Sequence, residues 1–389
     1  MRRLKNSEKR FVRALVFFFA FSVALFAFSL SIFAEETESA IPKEDWDGFL
    51  DSVPPEVLDQ FPDGEFSEIE EYSGEINEMI TPSYIVDTLL EMLGVEAGSA
   101  FKLLFLLIGV VVVSAVVSAL AKMADNPALR SALRYCSLGA VFASSVYAFY
   151  EHFEKLEIFF ERISALFNGM IPVTASIWAL GGNVTTASAG SATLYCFLAV
   201  FEKLWAASAI PVTTFVIMLG FCDVLCGELK TCKIVGSIKK IYGFFLGISM
   251  TVLLSSLAAQ TLLCAVSDSV AARTGRLVSS TVIPIIGGNL GEALRTVASS
   301  VGYLKGVFGV GGIVIIALLT IPMALTVLLA RFAFGIGSAF ADVLGCEEES
   351  KLLSVFSDAY GCMLAVVCGV GMMFVLALCI FMKTAIAVA

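Results

Sequence analysis

The chain has 389 residues, 58% of them hydrophobic and 15% charged, with 32 Phe, a single His and a formal net charge of −10. A soluble domain is about half apolar and about a quarter charged. The composition, with its mean hydropathy of +0.89, therefore excludes a disordered chain, a basic nucleic-acid binder and an ordinary soluble enzyme, and leaves a membrane protein with several spans.

The charge is zoned: residues 1–34 carry +5, residues 35–100 carry nineteen Asp/Glu against Lys43 alone, and residues 101–389 carry +3. Residues 1–34 read as a signal peptide or signal anchor. Arg2, Arg3, Lys5, Lys9, Arg10 and Arg13 precede an apolar run over 14–34, and Ala34 meets Glu35 and Glu36. The run is longer than the usual signal core, which keeps the retained anchor open beside cleavage. Either way the basic residues stay in the cytoplasm.

Residues 35–100 are then an acidic extracytoplasmic segment, punctuated by Pro42, Pro54, Pro55, Pro62 and Pro82. Ile80, Tyr84, Val86, Leu89, Leu90 and Leu93 fall at helical spacing and predict an amphipathic helix before the first internal span. So acidic a surface suits a basic partner; a solvated linker accounts for it equally.

Residues 101–389 form a polytopic membrane domain of about six to eight spans. Six helices are clear, at 101–121, 133–150, 206–226, 241–266, 306–330 and 363–382. Lys122, Arg130 and Arg134 mark a cytoplasmic loop, as do Lys230, Lys233, Lys239 and Lys240. Glu151, Glu154, Glu157 and Glu161 mark an outer loop of helical periodicity, and 267–280 a short polar one. Residues 332–344 form a short glycine-spaced segment, and Asp342, Glu347, Glu348, Glu349 and Asp358 mark an outer loop; Lys383 places the C-terminus inside.

Two apolar stretches are broken. One has Ile171-Pro172 and Gly181-Gly182-Asn183; the other has Ile283-Pro284 and Gly287-Gly288-Asn289. Irregular backbone at membrane depth survives only when buried in protein or lining a wet cavity, so both predict discontinuous or re-entrant segments. Broken helices in two halves point to an inverted repeat; the bland reading is that Pro and Gly are frequent in membrane helices. The fold expected is therefore all-α and polytopic, with two broken segments and a candidate inverted repeat.

Candidate chemistry is sparse. A lone His152 builds no triad, and there is no P-loop or nucleophile elbow. Cys222, Cys226 and Cys232 lack a His or a paired motif, so neither metal nor cofactor is expected. Glu202 and Lys203 interrupt an apolar run over 194–219. A charge inside hydrocarbon is costly and reads as functional; a hairpin turn at the membrane surface is the alternative. Asn183, Thr185, Thr186, Glu202, Lys203 and Asn289 are the candidate lining of a transport path, and Pro172, Gly181, Gly182, Pro284, Gly287 and Gly288 the elements that would break its helices.

The stretches Asp268–Arg276, Val282–Ala293 and Val301–Gly312, with Met170-Ile171-Pro172 and the Thr185-Thr186-Ala187-Ser188 run, resemble the signature of the stage III sporulation protein AE family. In that family the stretch matching Arg273–Arg276 is more basic. The resemblance implies a multi-pass protein of the mother-cell membrane around the forespore. It implies a permease-like component of a channel complex required for endospore formation, helping pass small molecules or proteins. The implied partners are the ATPase, ring-forming and membrane subunits of the stage III A operon and a forespore membrane protein, with no nucleic acid. No catalytic residue is carried over. A non-conducting scaffold that positions the ATPase and rings is the alternative.

Overall fold

The computed structural model describes residues 42–58, 82–123, 126–181, 183, 187, 190–226, 232–282 and 287–383; the signal at 1–34 lies outside them. Among the described residues there are eight helices and no strand: α1 (Lys43–Ser52), α2 (Pro55–Leu58), α3 (Pro82–Met123), α4 (Pro127–Leu180), α5 (Ser191–Cys226), α6 (Cys232–Val282), α7 (Gly287–Val343) and α8 (Glu347–Lys383). The last six are each long and apolar enough to cross a membrane, and each contains one of the six clear predicted helices.

The helices run further than the hydropathy minima suggest. α4 has 54 residues, about 80 Å at 1.5 Å per residue against a hydrocarbon core of about 30 Å. The expected outer loop at Glu151–Glu161 is therefore the middle of α4, whose periodicity buries Leu156, Phe159, Phe160 and Ile163 and leaves the glutamates outside. Pro172 also lies inside α4 and does not end it; neighbouring helices hold a prolyl turn in register where water is absent. The break comes instead at Gly181. The polar 267–280 stretch is helical to the end of α6, and 332–344 is mostly the last part of α7 rather than a separate segment. Gly287, Gly288 and Asn289 open α7, while Gly182 and Pro284 lie outside the described residues.

α7 and α8 form an antiparallel hairpin through Leu344, Gly345 and Cys346. Gly345 takes a φ of 75°, the left-handed conformation that glycine adopts without a Cβ clash. The α7–α8 pair is the core: Phe308, Phe334, Phe356, Tyr360 and Phe374 are all fully buried. α4 runs alongside α8, with Phe149 edge-on to Tyr360 and Trp178 edge-on to Phe381. α5 runs against α8 in the opposite sense, laying Trp205 on Gly369 and Gly220 against Val355, each glycine admitting a side chain where a Cβ would collide.

These contacts fix the two ends of the bundle. Arg134 at the start of α4 pairs with Glu348 at the start of α8. Beside them the Glu349 carboxylate accepts from Ser114 of α3 (2.6 Å) and Ser137 of α4 (3.3 Å), and the two hydroxyls contact each other. The arginine turn and the glutamate turn therefore share one end, which corrects the expectation that they lie on opposite faces. Acidic residues contribute little to topology; here Glu348 neutralises Arg134. At the other end Met382 meets Gly309, and Phe49 of α1 meets Phe308 at 5.1 Å. The C-terminal end of α8 thus shares an end with α1.

Glu349 is 5% exposed, so Glu349→Ala leaves two buried hydroxyls without their acceptor. We expect a loss of about 1–3 kcal/mol, read as a lowered unfolding midpoint in detergent, with Glu349→Gln recovering most of it.

The acidic segment does not behave as a free linker. α1 buries Trp46 and Phe49, and α2 buries Val57. Ser176 of α4 donates to Asp45 at 2.6 Å, and Arg162 of α4 donates to Glu56 at 2.7 Å. Gly169 faces Ser52 and the Gly48 carbonyl with no room for a Cβ. From Pro82 on, the stretch predicted as an amphipathic helix is helical and continuous with the first span within α3, and Leu90 and Leu93 of its apolar set are exposed.

Candidate functional site

α5 presents one buried stripe toward the bundle: Tyr195, Leu198, Glu202, Trp205, Ala209 and Thr213, spaced by three or four residues. That spacing keeps a single helix face inward. Glu202 sits in the middle of it, 4% exposed. One turn on, Trp205 donates to Ser249 of α6 at 2.7 Å and covers Gly369 of α8. Glu202 therefore lies one turn from the contact of α5 with α6 and α8, and it makes no hydrogen bond or ion pair among the described residues.

Lys203 is exposed on the neighbouring face of α5. The adjacent pair thus divides between two environments, about 100° apart on the helix. Both residues stand within a continuous 36-residue helix, not at a surface hairpin turn.

The α4–α5 junction holds the second group of candidates. The Gly181 amide closes onto the Ile177 carbonyl (3.2 Å), Asn183 N donates to the Trp178 carbonyl (3.0 Å) and Ala187 N to the Asn183 carbonyl (2.8 Å). Ala187 and Gly190 lie in a π-type turn, a widened turn that recurs at functional sites. Asn183 is 2% exposed. Gln260 of α6 donates to the Gly190 carbonyl, tying α6 to the junction. Thr174 and Tyr195 share a hydrogen bond of 3.0 Å just below, where α4 and α5 face each other. Thr185 and Thr186 lie outside the described residues, and Asn289 is placed only as the third residue of α7.

Three buried polar features lie outside the sequence-derived set. Lys305 of α7 is 3% exposed, with its ammonium 5.7 Å from the Phe381 ring centre, a cation–π approach. Its signal in the sequence is a lysine inside the apolar 301–320 run, the same signal that singled out Glu202. His152 is buried in α4; its Nδ1 lies 2.7 Å from the Ala148 carbonyl and 3.0 Å from the Tyr360 hydroxyl. Periodicity around Phe153, Leu156 and Phe159 could have turned it inward. The Ser114–Ser137–Glu349 cluster carries no local signal, because its members are far apart in the chain.

No group of three His, Cys, Asp or Glu among the described residues could hold a metal ion. Cys346, in the α7–α8 turn, is a packed thiol whose ionisation is pushed up by burial and then by Glu349.

No solved structure matches the chain. Stage III sporulation protein AE of Bacillus subtilis (strain 168) is 22% identical over 218 residues, 56% of this chain and 55% of that protein, so the chain spans about half the length of the curated relative it matches. The family model described as stage III sporulation protein AE matches residues 67–385, a range that takes in α3 to α8 and with them Glu202, Lys305 and the α4–α5 junction. The chain belongs to the stage III sporulation protein AE family.

Proposed function

We propose that this protein is the permease-like membrane subunit of a mother-cell/forespore channel complex. In this reading it lies in the mother-cell membrane around the forespore and works with an ATPase, ring-forming subunits and a forespore membrane partner. The sporulation role rests on the family; the permease reading rests on one observation, a buried Glu202, one turn from the contact of Trp205 with α6 and α8, whose carboxylate makes no hydrogen bond among the described residues. An ionisable group kept inside a span costs free energy with no packing return, and such groups mark ion or substrate pathways. Asn183, 2% exposed at the α4–α5 junction, supplies a further buried polar residue.

A second reading, a non-conducting scaffold, draws on the α7–α8 core, which is apolar from Val307 to Leu319. Single cysteines placed at Asn183, Thr185, Thr186, Glu202 and Asn289 in a cysteine-free background separate the two. Labelling of these positions by a water-soluble, membrane-impermeant thiol reagent is expected for a permease. Protection of all five, with Lys155→Cys labelled as the exposed control, supports the scaffold.

A further inference from the structure

A cleft of about 940 Å³ opens between α2, α3, α4 and α7. Its floor is apolar: Leu318, Leu319 and Met323 of α7, at the level of Pro322. Its α3 wall is acidic, with Asp87, Glu91 and Glu96 spread over about 13 Å of helix. None of the three makes an ion pair among the described residues. The two cations in the cleft are engaged already: Arg162 with Glu56 at 2.7 Å, and Lys155 with Glu151 at 3.5 Å.

We propose that this cleft receives a basic amphipathic helix of a partner protein, apolar face on the α7 floor and Lys or Arg side chains along the α3 carboxylates. The volume and the length of the acidic wall match two to three helical turns, the helix-in-groove mode of recognition. Charge selects the occupant. Three carboxylates without an ion pair stand beside an apolar floor, so a helix that carries Lys or Arg next to its apolar face complements the cleft. A membrane surface is a poor occupant for the same reason, since anionic headgroups attract basic and not acidic segments.

The probe is an 18-residue Leu/Lys amphipathic helical peptide, fluorescently labelled, titrated against the full chain in phosphatidylcholine nanodiscs and against empty nanodiscs. Binding above the empty-disc level is expected, weakening with added salt. Asp87→Asn with Glu91→Gln should weaken it about tenfold. Glu154→Gln with Glu157→Gln, which removes two exposed carboxylates of α4 outside the cleft, should leave it within twofold. A peptide with every Leu changed to Ala should also bind at least tenfold more weakly. Absence of binding to the wild-type chain, equal loss in both double variants, or full affinity of the Ala peptide would each overturn the proposal. Both double variants alter only exposed side chains, so a common unfolding midpoint shows that a loss of binding is not a loss of fold.

Discussion

Glu202→Leu will raise the unfolding midpoint of the detergent-solubilised protein and abolish spore formation, while Lys203→Leu leaves both close to wild type. The stability half of this result follows from solvation. On the insertion scale a charged side chain at the centre of a span costs about 2.5–3.5 kcal/mol, and leucine is favourable by about 0.3–0.6 kcal/mol. Glu202 begins the fourth turn of α5, so a gain of about 1–3 kcal/mol is the expected share, a few degrees in the midpoint. Trp205, Ser249 and Gly369 keep their contacts in the variant, because none of them uses the carboxylate. The functional half follows from the same observation. A destabilising carboxylate that packing does not need is retained for what it does, so removing it should cost activity. Glu202→Gln keeps shape and hydrogen-bonding capacity and removes only the charge. Sporulation lost in both variants assigns the role to the carboxylate; sporulation lost only in the leucine variant assigns it to polarity at that position. Normal spore counts with both would remove Glu202 from any transport path and leave the scaffold reading. Lys203 is the internal control. It carries a charge one residue away but faces outward, where its stem can lead the ammonium to the interface.

The contrast between these neighbours shows where the sequence stops being legible. That both residues interrupt an apolar run is visible in the letters. Which of them turns inward depends on the phase of the stripe through Tyr195, Leu198 and Trp205, and that phase becomes readable only once α5 is known to be one continuous helix. The six spans were legible because each holds a long apolar window, and the end of α4 at Gly181 because glycine pairs punctuate helices. Helix length was not legible. Glu151, Glu154, Glu157 and Glu161 read as a loop because polar residues were taken to end a span, yet they form the outer face of a helix whose inner face holds Leu156 and Phe160. The shared end of Arg134 and Glu348 was hidden for a different reason. A pairing across 214 residues leaves no local trace, and loop-by-loop charge assignment treats each turn as independent of the rest. Lys305 escaped selection although it satisfies the criterion applied to Glu202, a charge within an apolar run. Its burial against Phe381 follows from tertiary contact alone.

Phe49→Ala will detach the acidic segment from the bundle without unfolding the spans. Phe49 is fully buried, 5.1 Å from the Phe308 ring and 5.4 Å from Trp46. Truncating a buried phenylalanine costs about 3–5 kcal/mol. α1 has ten residues and no side-chain cap at its start, too short to persist as an isolated helix in water. Its remaining attachments are the buried Trp46 and Val57 and two partly exposed polar contacts, Asp45 with Ser176 and Glu56 of α2 with Arg162. An exposed ion pair is worth about 0.2–1 kcal/mol, less than the loss at Phe49, so the balance tips toward release. Limited proteolysis reads this directly. Wild-type protein should resist cleavage within residues 43–58, and the variant should be cut there while the α7–α8 hairpin stays protected. Phe49→Leu, which keeps most of the buried volume, should cost less than about 1.5 kcal/mol and stay resistant. Resistance of the alanine variant would mean that the remaining contacts, and not Phe49, seat the segment. The consequence for function is geometric. α2 forms one wall of the acidic cleft through Glu56 and Val57, so a released α1–α2 unit should also weaken capture of a basic helix, whereas Glu202 lies in α5, which this unit does not touch, and keeps its environment. Loss of peptide binding with sporulation retained would then separate the cleft from the transport site within one protein.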